Sequence, residues 1–311
     1  VTTARSAALS CLLAATAVGG SIAVTPFIAD FPVLAGQAGR YALAAVALAV
    51  ALPSLDATTP PRLTRGDLGR LLLAAATGSA GFNVLLVAAS RHAEPAAIGA
   101  VVGASPVVLA VLGAPRVGGR LPRPRPAVVI GALLASGGVV ALHGGGRSTV
   151  AGLLLAIGVL ACEVCFTLVA APLLPRLGPA RVSTWSCALA AAILATASLV
   201  TRERLRQPTT GEAGTLLYQG LVMTAVAFVL WYRGVHRLGP DRAGVTMAAA
   251  PVAAAGVAAV VGTGDLTVAG GVGAGLVAVG VVAALCVSPP SRRPSSSWSG
   301  AAAPVPARRT P

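Results

Sequence analysis

No lysine occurs anywhere in the chain, acids number only nine, and charged residues of every kind fill 10% of its 311 positions. Ordinary soluble domains carry about 25% charged residues, so a soluble globular domain is excluded. The missing lysine also removes any G-x-x-x-x-G-K-[ST] phosphate loop, and with it transport driven by this chain's own ATP hydrolysis. The three histidines, His92, His143 and His236, stand at the ends of apolar runs without metal-ligand spacing, so no metal and no cofactor is expected. All five cysteines lie in apolar stretches, and no disulfide framework follows. Cys162 and Cys165 form a C-x-x-C inside a lipid-length run, without the strand-turn-helix context or second pair that redox or zinc chemistry needs.

What fills the chain is Ala, Val, Leu and Gly, with 56% hydrophobic residues and a mean hydropathy of +0.84. Polar residues gather in short clusters between apolar runs of about 18 to 22 residues, a length that spans a bilayer as helix. Period-two alternation is absent, and only helices or closed barrels satisfy their backbones in lipid, so the chain is read as an all-α integral membrane protein. The runs fall at about 7–28, 33–52, 69–90, 96–114, 127–143, 150–171, 182–200, 214–232, 243–261 and 267–287, which makes ten transmembrane helices. The first, preceded by Arg5, has the look of a signal peptide, but with so many spans following it is read as a retained helix.

The net charge of +14 comes wholly from arginine. A nucleic-acid partner would need that charge on one water-facing surface, whereas these arginines are scattered through loops and a tail, so none is expected. With the N-terminus in the cytoplasm, 17 of the 23 arginines fall on the inner side and 5 on the outer, with Arg40 left inside a span. That asymmetry predicts a multi-pass protein of the cell membrane with both termini cytoplasmic. From Ser288 onward the composition turns to Ser, Pro and Arg, so residues 288–311 are read as a disordered cytoplasmic tail whose arginines can touch membrane lipids.

A shift of 145 residues lays Pro95, Gly99 and Pro106 on Pro240, Gly244 and Pro251, with Gly69 on Gly214. Each copy holds five spans, and five is odd, so the second enters the membrane from the opposite side. The expected architecture is two inverted five-helix repeats, 1–145 and 146–287. Such repeats can open a central cavity to either side in turn. Pro106 and Pro251, at matching places in the fourth span of each half, are expected to free a backbone carbonyl and to act as hinges.

The stretches ASRHAEPAAIGAVVGASPVVLAVLGAPRVGGRLPRPRPAVVIGALLASGGVVAL and GVHRLGPDRAGVTMAAAPVAAAGVAAVVGTGDLTVAGGVGAGLVAVGVVAAL resemble the two copies of an EamA-type domain, and the chain resembles the drug/metabolite transporter superfamily over residues 7–287. Arg40 matches a position where such transporters often carry Arg. Where the family often has an acid before the Leu preceding the last helix of each repeat, Arg120 stands in the first half and Asp265 in the second. The resemblance implies a secondary transporter, often an exporter, moving a small metabolite, an amino-acid-like compound or a drug.

A charged side chain at a helix centre costs about 2.5–3.5 kcal/mol on insertion scales, so intramembrane charges mark function. Glu163 lies mid-span in the sixth run and Arg40 in the second; facing one cavity they could pair. Glu163 is the candidate proton-coupling site and Arg40 the candidate holder of an anionic substrate group; the competing readings are a structural bridge for Glu163 and an interfacial, snorkelling Arg40. Ser105, Asn83, Gln37 and Gln219 are weaker candidates for a hydrogen-bonding cavity, with Ser79 and Thr246 behind them. Trp231 and Tyr232, just before Arg233, fit an interfacial aromatic belt. Gly99 with Gly103 and Gly271 with Gly275 have the spacing of close helix packing. The expected partners are a small-molecule substrate, protons and lipid. An integral membrane enzyme would want a nucleophile, metal cluster or paired carboxylates at one depth, and none is seen, so no enzyme activity is expected; a scaffold or regulator that has lost transport is the other alternative.

Overall fold

The computed structural model describes residues 2–28, 30–56, 62–93, 95–114, 124–143, 148–262 and 267–286. Arg120, Asp265 and the 288–311 tail lie outside them. The described chain is helical, with one isolated β-bridge between Ala93 and Ser148. We number the helices α1 (Thr2–Val24), α2 (Val33–Leu55), α3 (Arg65–Ser90), α4 (Pro95–Val102 and Ser105–Leu112), α5 (Pro126–His143), α6 (Val150–Ala170, prolonged by a turn Ala171–Leu173 and by Leu174–Leu177), α7 (Pro179–Val200), α8 (Thr210–Leu238), α9 (Pro240–Met247 and Ala249–Val260) and α10 (Val268–Cys286). Eight are long and apolar enough to cross a membrane; Ala97–Leu112 and Pro126–Leu142 are shorter apolar helices. Large aliphatic side chains such as Val46, Leu133, Leu154 and Val279 stand outward and exposed. A protein whose outside is as apolar as its core is one solvated by lipid.

Two helices start on the same device. Thr64 caps α3, its hydroxyl accepting from the Asp67 amide while Asp67 accepts from the Thr64 amide; Thr209 and Glu212 do the same for α8, 145 positions later. Both helices then loosen into a π segment, Ala76–Gly81 in α3 and Gln219–Val226 in α8. A π turn leaves carbonyls unserved, and side chains serve them: Asn83 Nδ2 donates to Ser79 O at 2.5 Å and Thr224 Oγ1 to Gln219 O at 2.8 Å. α4 and α9 are both broken, at Gly103–Ala104 and at Ala248. Pro106 and Pro251 lie in the first turn after each break, where a missing N–H costs nothing. This corrects the picture of a proline inside a continuous helix: the chain ends one helix and starts another.

The packing crosses between halves. α1 lies on α8 and α9, while α6 lies on α3 and α4; α2 pairs with α7, α4 with α9 and α5 with α10. The α5–α10 crossing is the tightest. A Cβ added at Gly138 would stand 2.6 Å from Gly273 O, and one added at Gly273 would stand 2.6 Å from Gly138 O. Gly131 meets Gly280 in the same way further along. Without side chains there, the backbones approach closely enough for dispersion to hold helices that lipid cannot drive together. Gly271 and Gly275, which the spacing put forward, have nothing within 4 Å of where a Cβ would be and face outward instead. Gly103 does pack closely, against Val139 of α5.

α2 and α7 run antiparallel and are fastened at both ends by an acid that follows one helix and reaches the first turn of the other. Pro32 precedes α2 and offers no side-chain cap, so the Glu203 carboxylate supplies it, accepting from the Leu34 amide at 3.0 Å and the Ala35 amide at 2.8 Å. Ser198 Oγ steadies that carboxylate at 3.0 Å. At the opposite end Asp56, after α2, pairs with Arg181 in the first turn of α7 at 2.9 Å.

Candidate functional site

Glu163 sits in the middle of α6, where the α3 π segment and the start of the second half of α4 come against that helix. Its carboxylate accepts from Ser105 Oγ at 3.1 Å, across the break in α4. Among the described residues no cation pairs with it. Glu163 is half-buried while Ser105 and Pro106 on the facing segment are buried.

Arg40, in α2, is buried at 5% exposure and does not snorkel to an interface. Its guanidinium is parcelled among neutral acceptors: Nε donates to Thr224 Oγ1 at 2.8 Å, one terminal nitrogen to Gln37 Oε1 at 2.9 Å, and the other meets Met223 Sδ. The network continues away from Arg40. Thr224 donates to Gln219 O, and Gln219 Nε2 donates to Thr25 Oγ1 at 3.3 Å, at the end of α1. Gln219 Oε1 is buried and has no partner among the described residues. Arg40, Gln37 and Gln219 are therefore brought together by α2 and the π segment of α8, with Thr224 as the link that the sequence did not single out.

Arg40 and Glu163 do not pair with each other. A cluster of four rings begins beside Arg40: Tyr41 to Phe228 at 6.3 Å, Phe228 to Phe166 at 5.4 Å, and Phe166 to Tyr232 at 5.4 Å between centroids. Tyr41 adjoins Arg40, whose guanidinium carbon is 5.1 Å from the Tyr41 ring centroid. Phe166 is one turn from Glu163. Tilted ring contacts of this kind contribute about 0.5–1.5 kcal/mol each beyond their burial. The cluster also overturns one expectation: Tyr232 and Trp231 are buried in the core, at 0% and 5% exposure, and are no interfacial belt.

Asn83 is spent on its own helix at Ser79 O and joins neither group. Thr246 likewise bonds back to Ala243 O, and the buried Ser79 hydroxyl has no partner among the described residues. No cluster of three metal-ligating side chains occurs among the described residues, and the five cysteines are free. A cavity of about 320 Å³ opens away from Glu163, at the end of the bundle where α6 turns into α7.

Residues 150–286 match the EamA-like transporter family. A curated relative, an uncharacterized transporter of Bacillus subtilis (strain 168) called YetK, is 26% identical over 238 residues, covering 73% of this chain and 71% of its own. A solved crystal structure shares the fold with a TM-score of 0.77 at 23% identity, covering 90% of this chain and 96% of that one. The resemblance drawn from the sequence stands on these matches.

Proposed function

We propose that the chain, whose residues 150–286 are similar to the EamA-like transporter family, is a secondary transporter of the drug/metabolite transporter class, exporting a small metabolite, an amino-acid-like compound or a drug across the cell membrane by alternating access. Ten spans in two inverted five-helix repeats, 1–145 and 146–287, with both termini in the cytoplasm, are the frame of this reading. The capping boxes 145 positions apart, the paired π segments, the broken α4 and α9 and the mutual packing of α2 with α7, α4 with α9 and α5 with α10 support it.

The observation that carries the mechanism is the Glu163 carboxylate on Ser105 Oγ at the break in α4. A lone carboxyl inside a membrane span is the kind of group that proton-coupled carriers use, so a proton is the natural passenger or counter-ion there. The break gives α4 a place to bend, and Ser105 couples any bend to the acid. Pro106 and, in α9, Pro251 confine the bending to the turn before them. Arg40, held ready by neutral partners, is the anion-holding group, with Gln37 and Gln219 reading hydrogen bonds beside it. A buried guanidinium with no carboxylate among the described residues is under-neutralised, and a substrate carboxylate would complete it.

Comparing metabolites inside and outside cells that express the native chain, Glu163→Gln or no transporter, at matched membrane levels, tests this. A compound exported by the native chain and not by Glu163→Gln is expected. Export by both removes Glu163 from the mechanism, and export by neither across a broad panel overturns the transporter mechanism.

A further inference from the structure

The cavity at the α6–α7 corner has a construction of its own. Leu173, Leu174 and Leu177 bury their side chains in the core, and Gly178, at φ +78°, turns the chain into Pro179 and α7. The corner is thus anchored from beneath, and its rim is preformed. Against it stand the end of α2, with Asp56, and the last turns of α8, with Arg233 and His236, enclosing about 320 Å³. That is room for a phosphate group, free or carried on a larger molecule, and matches the small end of ligand sites, roughly 300–1,000 Å³.

Three guanidiniums line it, those of Arg176, Arg181 and Arg233. Arg181 is matched by Asp56, and Arg176 by Asp67. Among the described residues no carboxylate is in ion-pair distance of Arg233, the Asp56 carboxylate in the same cavity being held by Arg181, and the exposed His236 lies one turn further along the same helix. The cavity therefore holds one uncompensated positive charge, beside the N-terminus of the 22-residue α7. It opens at the end of the bundle richest in arginine, where anionic lipid would be drawn.

We propose that this cavity binds a phosphate group carrying a single negative charge, as in an anionic phospholipid headgroup or a free phosphate, with Arg233 as its principal partner. Size, charge and place agree on that chemistry. The full chain, purified in a mild neutral detergent, is melted thermally while dioctanoyl phosphatidylglycerol, dioctanoyl phosphatidylcholine or sodium phosphate is titrated in. Saturable stabilisation by phosphatidylglycerol is expected, with half-saturation raised about tenfold in Arg233→Gln, the loss of one charged hydrogen-bonding partner, and unchanged in Arg206→Gln at the opposite end. Stabilisation by phosphatidylglycerol alone assigns the site to a headgroup; stabilisation by sodium phosphate as well assigns it to the free anion. His236→Gln, at an exposed position, serves where Arg233→Gln does not fold, and is expected to weaken binding in the same sense. No saturable stabilisation by either anion, an equal response to phosphatidylcholine, or equal loss in Arg206→Gln overturns the proposal.

Discussion

Replacing Gly138 by alanine puts a methyl 2.6 Å from Gly273 O, where ordinary contacts begin at 3.4 Å. Both atoms belong to helix backbones, which cannot swing aside as a side chain can. α5 and α10 must part by about 0.8 Å at the crossing, and a gap of that size forfeits roughly a quarter to a half of each van der Waals well. If some twenty atom pairs across the crossing each lose about a third of ~0.15 kcal/mol, the loss is about 1 kcal/mol, and residual overlap brings the total to about 1–3 kcal/mol. Val128, Ala132, Ala135 and Val139 of α5 and Val277, Val281 and Ala284 of α10 form the core that would be pried open. Gly137, next in the chain, has nothing within 4 Å and is the internal control. Thermal melting of the purified chain in detergent should place Gly138→Ala several degrees below native, at about 2–4 °C per kcal/mol, and Gly137→Ala level with native or slightly above it. Equal melting temperatures for the two variants would refute the close crossing.

Glu203→Gln keeps the side chain's length and removes the charge that caps α2, so a loss of about 1–2 kcal/mol is expected, together with faster amide exchange at Leu34 and Ala35 by hydrogen-exchange mass spectrometry; unaltered exchange there would show that the cap does not hold in solution. Arg40→Met removes a buried cation whose partners are all neutral, so it should preserve or raise thermal stability while abolishing export of any anionic substrate identified in the cell assay. A variant that still exports such a substrate at the native rate would take Arg40 out of the binding site.

How far the sequence carried depended on whether hydropathy could see the feature. It found the membrane-length helices because lipid-length apolar runs are its strongest signal, yet it started α3 and α8 four residues late, at 69 and 214, because their first turns carry Asp67 and Glu212 on capping boxes. The π segments were invisible, since an inserted residue leaves hydropathy unchanged. Glu163, Ser105 and Arg40 stood out as polar groups within apolar runs, and the first two do meet, though a contact 58 positions apart is a tertiary fact. Arg40 found Thr224 and Met223 instead of Glu163, and nothing in a string such as MTAVAF marks one threonine as an arginine's partner. Trp231 and Tyr232 misled because Arg233 follows them. α8 runs on to Leu238, which carries both aromatics back inside the bundle.

The crossing of α1 onto α8 and α9 has a consequence in time. α1 ends at Val24 and α8 begins at Thr210, so its partners follow it by about 190 residues, which at a synthesis rate of 5–20 residues per second is a delay of roughly 10–40 s. During that delay the face of α1 made of Ala7, Cys11, Ala14 and Ala15, fully enclosed in the finished protein, has only lipid or the insertion machinery against it. Its small, uncharged side chains suit that wait. A first helix carrying a strongly polar residue on this face would reach the membrane long before anything existed to receive it, so the order of synthesis itself restricts what α1 can contribute to the interior.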